Sequence, residues 1–230
     1  MLYIITAPNV KPPRRSASCL LFSSILRATL TRSQQFVLLT LLLALMSPAN
    51  LCAEDLPPVT AQVWTTKYDQ YFRKYTKRYF GPGFEWHWFK AQAIAESNLK
   101  ADAKSWVSAR GIMQIMPKTF AEIQKKNPSF ADINEPRWNI AAGIYYDQQL
   151  YRKWKAERPH LDRMSFTFAS YNAGFRNIRK AQGLSRKAGI NENLWPSIKK
   201  TAPKVRGWRY KETLGYVDKI HTMMAPLVGP

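Results

Sequence analysis

Histidine and cysteine are scarce in this chain of 230 residues. The three histidines, His87, His160 and His221, are scattered. They form no His-Glu-x-x-His motif or similar cluster, so the usual pattern of a metal-dependent hydrolase is missing. Both cysteines, Cys19 and Cys52, precede residue 54. Beyond that point a disulfide framework, a cysteine metal site and a cysteine nucleophile are all excluded. A phosphate-cradling glycine loop and a serine nucleophile elbow are absent as well. Acids are few, 15 against 35 lysines and arginines, which leaves a net charge of +20. That balance favours polyanionic partners (nucleic acid, anionic membrane or an acidic cell-wall polymer) and says nothing about fold. No segment alternates convincingly as a strand would, and there is no internal repeat.

The first 53 residues hold no acid and five bases, followed by the apolar run Phe36–Met46. That run is shorter than the ~20 residues a spanning helix needs. A positive n-region, a short apolar core and small residues beyond it predict a secretory signal peptide or N-terminal leader over 1–53. Its basic region is unusually long, so a later translation start and an uncleaved anchor both stay open. Lipid attachment at Cys52 is the minority reading, because the bulky Leu51 precedes it. The remaining chain keeps thirty bases against fifteen acids, so its basic character does not come from the leader alone.

A proline-containing linker is expected over 54–61. Beyond it, helical spacing of apolar residues dominates. Tyr68, Tyr71, Phe72, Tyr75 and Tyr79 form an aromatic stripe over 62–80, ended by Gly81-Pro82-Gly83. Helical patterns follow over 84–99, from Pro117, over 139–154, over 164–174 and over 213–224, while 175–207 reads as basic and turn-rich. The expected fold is mainly α, one domain over 62–225 with little or no β structure and a short tail over 226–230.

Glu96 is the most conspicuous acid. It closes the apolar run Ala91, Ala93, Ile94, Ala95 and precedes Ser97. A carboxyl at the edge of an apolar face loses hydration, holds its proton to higher pH and can donate it near neutrality. A surface glutamate at a helix end would fit this helix equally well. Glycosidases ordinarily use two carboxylates. Asp102 reads as a turn residue and Asp147 as a structural residue on its helix, so no convincing second acid is found. A single acid suggests that the substrate supplies its own nucleophile.

Several segments then appear in order. They are Glu96-Ser97-Asn98-Leu99, Ser105 ahead of Gly111-Ile112-Met113-Gln114-Ile115-Met116-Pro117, Asn139-Ile140-Ala141-Ala142-Gly143, Ala169-Ser170-Tyr171-Asn172-Ala173-Gly174, and Glu212-Thr213-Leu214-Gly215-Tyr216-Val217. Together they resemble the soluble-type lytic transglycosylases, which cleave bacterial peptidoglycan on a lysozyme-like fold. The resemblance covers nearly all of the chain after the leader. Ile112, Leu99 and Ser170 depart from the commoner residues without removing a polar group.

The resemblance implies roles. Glu96 would protonate the glycosidic oxygen between N-acetylmuramic acid and N-acetylglucosamine, then take the proton of the C6 hydroxyl, leaving a 1,6-anhydro end. Gln114 and Asn172 would bind the N-acetyl sugars, with Ser105 near the reacting centre and Met113 lining the groove. Tyr171 would lie beside Glu96. Glu212 would support the groove or cap its own helix. The resemblance further implies no metal and no cofactor. The partner would be glycan strands rather than nucleic acid, with a cell-envelope secretion or conjugation machinery as a further candidate. The protein would be an exported monomer of the periplasm or cell envelope, without an integral membrane domain once the leader is removed. Two other readings are carried: a water-using muramidase like the goose-type lysozymes, and a non-catalytic basic wall-binding protein.

Overall fold

The computed structural model describes residues 64–228. The leader over 1–53 and the linker over 54–61 lie outside the described residues, as do the last two residues of the tail. Eight α-helices carry the described part: α1 (Asp69–Phe80), α2 (His87–Ser97), α3 (Pro117–Lys126), α4 (Pro136–Lys153), α5 (His160–Ala173), α6 (Phe175–Lys187), α7 (Trp195–Thr201) and α8 (Tyr210–Val228). Short 3-10 turns lie at Thr66–Tyr68 and Ala202–Lys204. The β structure among the described residues is two isolated antiparallel bridges, Lys104 with Arg110 and Arg110 with Ile115.

Two helices are buried nearly all round. In α2 every residue from Trp88 to Ser97 is buried, and in α5 so is every residue from Met164 to Asn172. A helix enclosed on all faces must be mainly apolar or small, and the larger polar residues it does bury, Lys90, Gln92 and Glu96 in α2 and Asn172 in α5, need partners inside. The last helix, α8, packs against both of them; α1 packs on α4 and α2, and α4 on α5. Lys90 is drawn into this interior from α2. There its ammonium pairs with Asp69 at 2.5 Å and donates a hydrogen bond to the Thr65 carbonyl.

Local signals set the helix ends. Pro117 and Pro136 open α3 and α4, where the missing N–H costs nothing. Gly174, at φ +82°, ends α5 and starts α6. The turn-rich reading of 175–207 is corrected: the segment holds α6 and α7. In α6, Ile178, Ala181, Gln182 and Ser185 recur at helical spacing and are buried. Two of those four are polar, and Gly183 lies among them, so the apolar period is weak in the sequence. In α7, Pro196 falls at the helix start and does not break it.

Candidate active site

Glu96 lies in the last turn of α2 and is 6% exposed. Its Oε1 accepts the Tyr216 hydroxyl at 2.6 Å, across 120 residues of chain. Burial pushes this carboxyl up to about 8, while the Tyr216 hydrogen bond and the charge of Lys219 pull the other way. At neutral pH the group therefore carries a proton. Once that proton is given away, the Tyr216 hydroxyl and Lys219 stand ready to stabilise the carboxylate.

The segment from Ser105 to Pro117 folds back against this helix end. Ser97, next to Glu96, donates its hydroxyl to the Ile112 carbonyl at 2.8 Å. Asn139, enclosed at the start of α4, braces the segment from the other side. Its Oδ1 accepts the Met113 N–H at 2.7 Å, and its Nδ2 donates to the Arg110 and Ile133 carbonyls. Gly111 adopts φ +73°, and a Cβ there would lie 2.5 Å from Asn139 Nδ2. Gln114 is held at φ +45°, a conformation that costs free energy for a residue with a side chain. Its Nε2 donates to the Gly111 and Ala103 carbonyls, at 2.9 and 3.2 Å. Its Oε1 is buried and has no partner among the described residues.

The remaining expected site residues divide. Asn172 accepts the Thr213 hydroxyl at 2.8 Å on Oδ1, and Thr213 in turn accepts the Trp208 indole N–H. Asn172 Nδ2 is left buried and without a partner. The resemblance implies Tyr171 beside Glu96, positioning it or steadying the developing charge; its hydroxyl donates to the Met113 carbonyl at 2.7 Å, while the hydroxyl bonded to the Glu96 carboxyl is that of Tyr216. Burial, then the charges of Glu96 and Asp147, push the Tyr171 phenol well up. The Met113 side chain is fully buried and faces Gly143, where an added Cβ would meet it at 2.7 Å. Its backbone, and not its thioether, meets the cluster. Ser105 accepts the Ala109 N–H at 2.9 Å and shapes its own loop. Glu212 sits in the first turn of α8, paired with Arg209 at 3.0 Å.

Sequence reasoning missed Tyr216 as the partner of Glu96, Thr213 behind Asn172, and the pair Gln92–Asp147. The signal for Asp147 was present: it shares one side of its helix with Ile140, Ile144 and Leu150. It is fully enclosed, and its Oδ1 accepts Gln92 Nε2 at 3.3 Å. Asp102 is exposed and lines a surface cleft with Lys104, Arg110 and Asn134, a lining that does not include Glu96. Among the described residues, no three of His, Cys, Asp and Glu are grouped so that they could hold a metal ion.

Comparison with known proteins gives a consistent result. The family described as transglycosylase SLT domain matches residues 70–194. Membrane-bound lytic murein transglycosylase F of Desulfosudis oleivorans is 30% identical over 151 residues, covering 61% of this chain and 32% of that protein. The protein of the same name from Shewanella pealeana is 27% identical over 173 residues, covering 70% and 34%. The chain thus spans about a third of the length of these relatives. The crystal structure of the 70 kDa soluble lytic transglycosylase of Escherichia coli superposes with a TM-score of 0.52 at 26% identity, covering 72% of this chain and 26% of that one. The all-α, lysozyme-like fold expected from the sequence is the one found.

Proposed function

This chain belongs to the transglycosylase SLT domain family, and from that premise we propose that it is a peptidoglycan lytic transglycosylase with Glu96 as its acid and then its base. The observation that carries this reading is the Glu96 environment: a buried carboxyl, protonated at neutral pH, with one hydroxyl donor on it. Glu96 gives its proton to the oxygen between N-acetylmuramic acid and N-acetylglucosamine, and the bond from C1 to that oxygen breaks. The carboxylate, now stabilised by Tyr216, takes the proton of the muramic C6 hydroxyl. O6 bonds to C1 and closes the 1,6-anhydro ring. Glu96 ends protonated, and no water is consumed.

The free polar atoms suit such a substrate. Gln114 Oε1 is an unused acceptor and Asn172 Nδ2 an unused donor. An N-acetyl group presents one donor and one acceptor. Hydrolysis would call for a second carboxylate able to activate water. Asp147, the other buried acid, is fully enclosed, where no water reaches it, and burial pushes its carboxyl well above the usual carboxylate range, so the intramolecular hydroxyl is the better nucleophile. Location in the cell envelope belongs to the same proposal, supported by the basic leader with its short apolar run and by a substrate that lies outside the cytoplasm.

Mass spectrometry of digests of purified sacculi tests it. Wild type is expected to release anhydromuramyl products and Glu96→Gln none. Reducing-end products would point to the hydrolytic muramidase. Sacculus binding without digestion would point to a non-catalytic wall-binding protein, and an undiminished yield from Glu96→Gln would remove Glu96 from the mechanism.

A further inference from the structure

Among the described residues two acids are buried, Glu96 and Asp147, and the reaction above uses the first alone. Asp147 lies within α4, and Gln92 lies within α2, one turn before Glu96. Gln92 Nε2 donates to Asp147 Oδ1. The other oxygen of each side chain, Asp147 Oδ2 and Gln92 Oε1, has no hydrogen-bond partner among the described residues. Both are acceptors, so neither can satisfy the other unless a proton lies between them. A bare buried acceptor is costly, and two on facing groups need an explanation. A carboxylate facing a carboxamide makes one hydrogen bond; a carboxylic acid can make two.

We infer that Asp147 carries its proton on Oδ2 and donates it to Gln92 Oε1, forming a two-bond acid–amide pair that positions Glu96. The surroundings agree. Burial pushes the Asp147 carboxyl well above the usual carboxylate range. The Gln92 bond opposes this, and the neighbouring Glu96 adds to it. The other titratable groups of the compartment are the phenols of Tyr146, Tyr171 and Tyr216, each pushed up in part by Asp147. Lys219, from α8, acts on Glu96.

The pair bears on Glu96 in two ways, given that Glu96 is the acid and base. Gln92 and Glu96 are four residues apart and share a helix face. Fixing Gln92 against α4 therefore fixes the rotation of α2 that aims Glu96 at Tyr216. A neutral Asp147 also leaves the Glu96 carboxylate, when it forms, without a like charge in the same dry compartment.

Two measurements test this. In protein labelled with 13C at aspartate carboxyls, in a Glu96→Gln background, one aspartate is expected to stay protonated at pH 7 and to vanish when Asp147→Asn is added. If every aspartate is ionised at pH 7, the shared proton is refuted. In sacculus digestion, Asp147→Leu should lower kcat ~10-fold or more with KM within about twofold, since misaiming slows the step without weakening binding. Asp147→Asn, which restores both bonds as an amide–amide pair, should recover the rate to within about threefold. A folded Asp147→Leu with wild-type kcat, or a folded Asp147→Asn as slow as Asp147→Leu, would overturn the positioning role. The carboxyl signal is read without catalysis, so it decides the proton even where no anhydro product is formed and the functional reading itself fails.

Discussion

A carboxyl that titrates near 8 in the folded protein and near 4.5 when unfolded ties stability to pH. Between those values the folded chain holds a proton that the unfolded chain has lost. The stabilisation is complete below about 4.5 and falls as pH rises towards 8. Glu96→Gln has no such proton to lose. Its stability should exceed that of wild type by an amount that grows across this window, reaching up to ~5 kcal/mol. Urea denaturation of both proteins at pH 4, 6 and 8 checks the sign; a difference that shrinks with rising pH would refute the buried, protonated Glu96. At this scale the sequence shows an acid closing an apolar run, which is enough to single out Glu96. It does not show Tyr216 on that acid. A hydrogen bond across 120 residues leaves no local periodicity that could announce it.

The segment between α2 and α3 depends on a close fit between one glycine and one asparagine. Gly111→Ala would drive a Cβ into the Asn139 amide and force a side chain onto φ +73°. Asn139 holds three backbone groups, at Met113, Arg110 and Ile133. The substitution should cost about 2–4 kcal/mol, combining backbone strain with displaced hydrogen bonds. A thermal melt within about 1 °C of wild type would show that the brace is dispensable. The segment 139–154 is legible in the sequence because Ile140, Ile144, Asp147 and Leu150 recur at helical spacing among its buried residues. The α6 helix is not, because half of its buried face is glutamine and serine. Gln114 illustrates a different limit: its left-handed backbone follows from the turn that Gly111 and Asn139 impose together, and no single residue announces it.

Taken whole, the molecule carries +20 of net charge, and thirty bases lie beyond residue 53. Exposed charges attract a polyanion over roughly a Debye length, ~10 Å at 0.1 M salt. Binding of the Glu96→Gln protein to sacculi should therefore weaken several-fold between ~50 and ~500 mM salt. Sacculi stripped of their stem peptides, and so of those carboxylates, should show little of this dependence in a pelleting assay. Salt-independent binding to intact sacculi would mean that the charge serves something other than the wall. The last helix, α8, has a consequence of another kind. It lies beyond the stretch matched by the family, yet it brings Tyr216 to Glu96 and Thr213 to Asn172. A chain emerging from the ribosome thus holds its acid long before it holds the groups that complete the site. On the proposed function, a molecule stopped short of this helix would hold the acid yet be unable to cut, and so would be harmless to the wall it is meant to open.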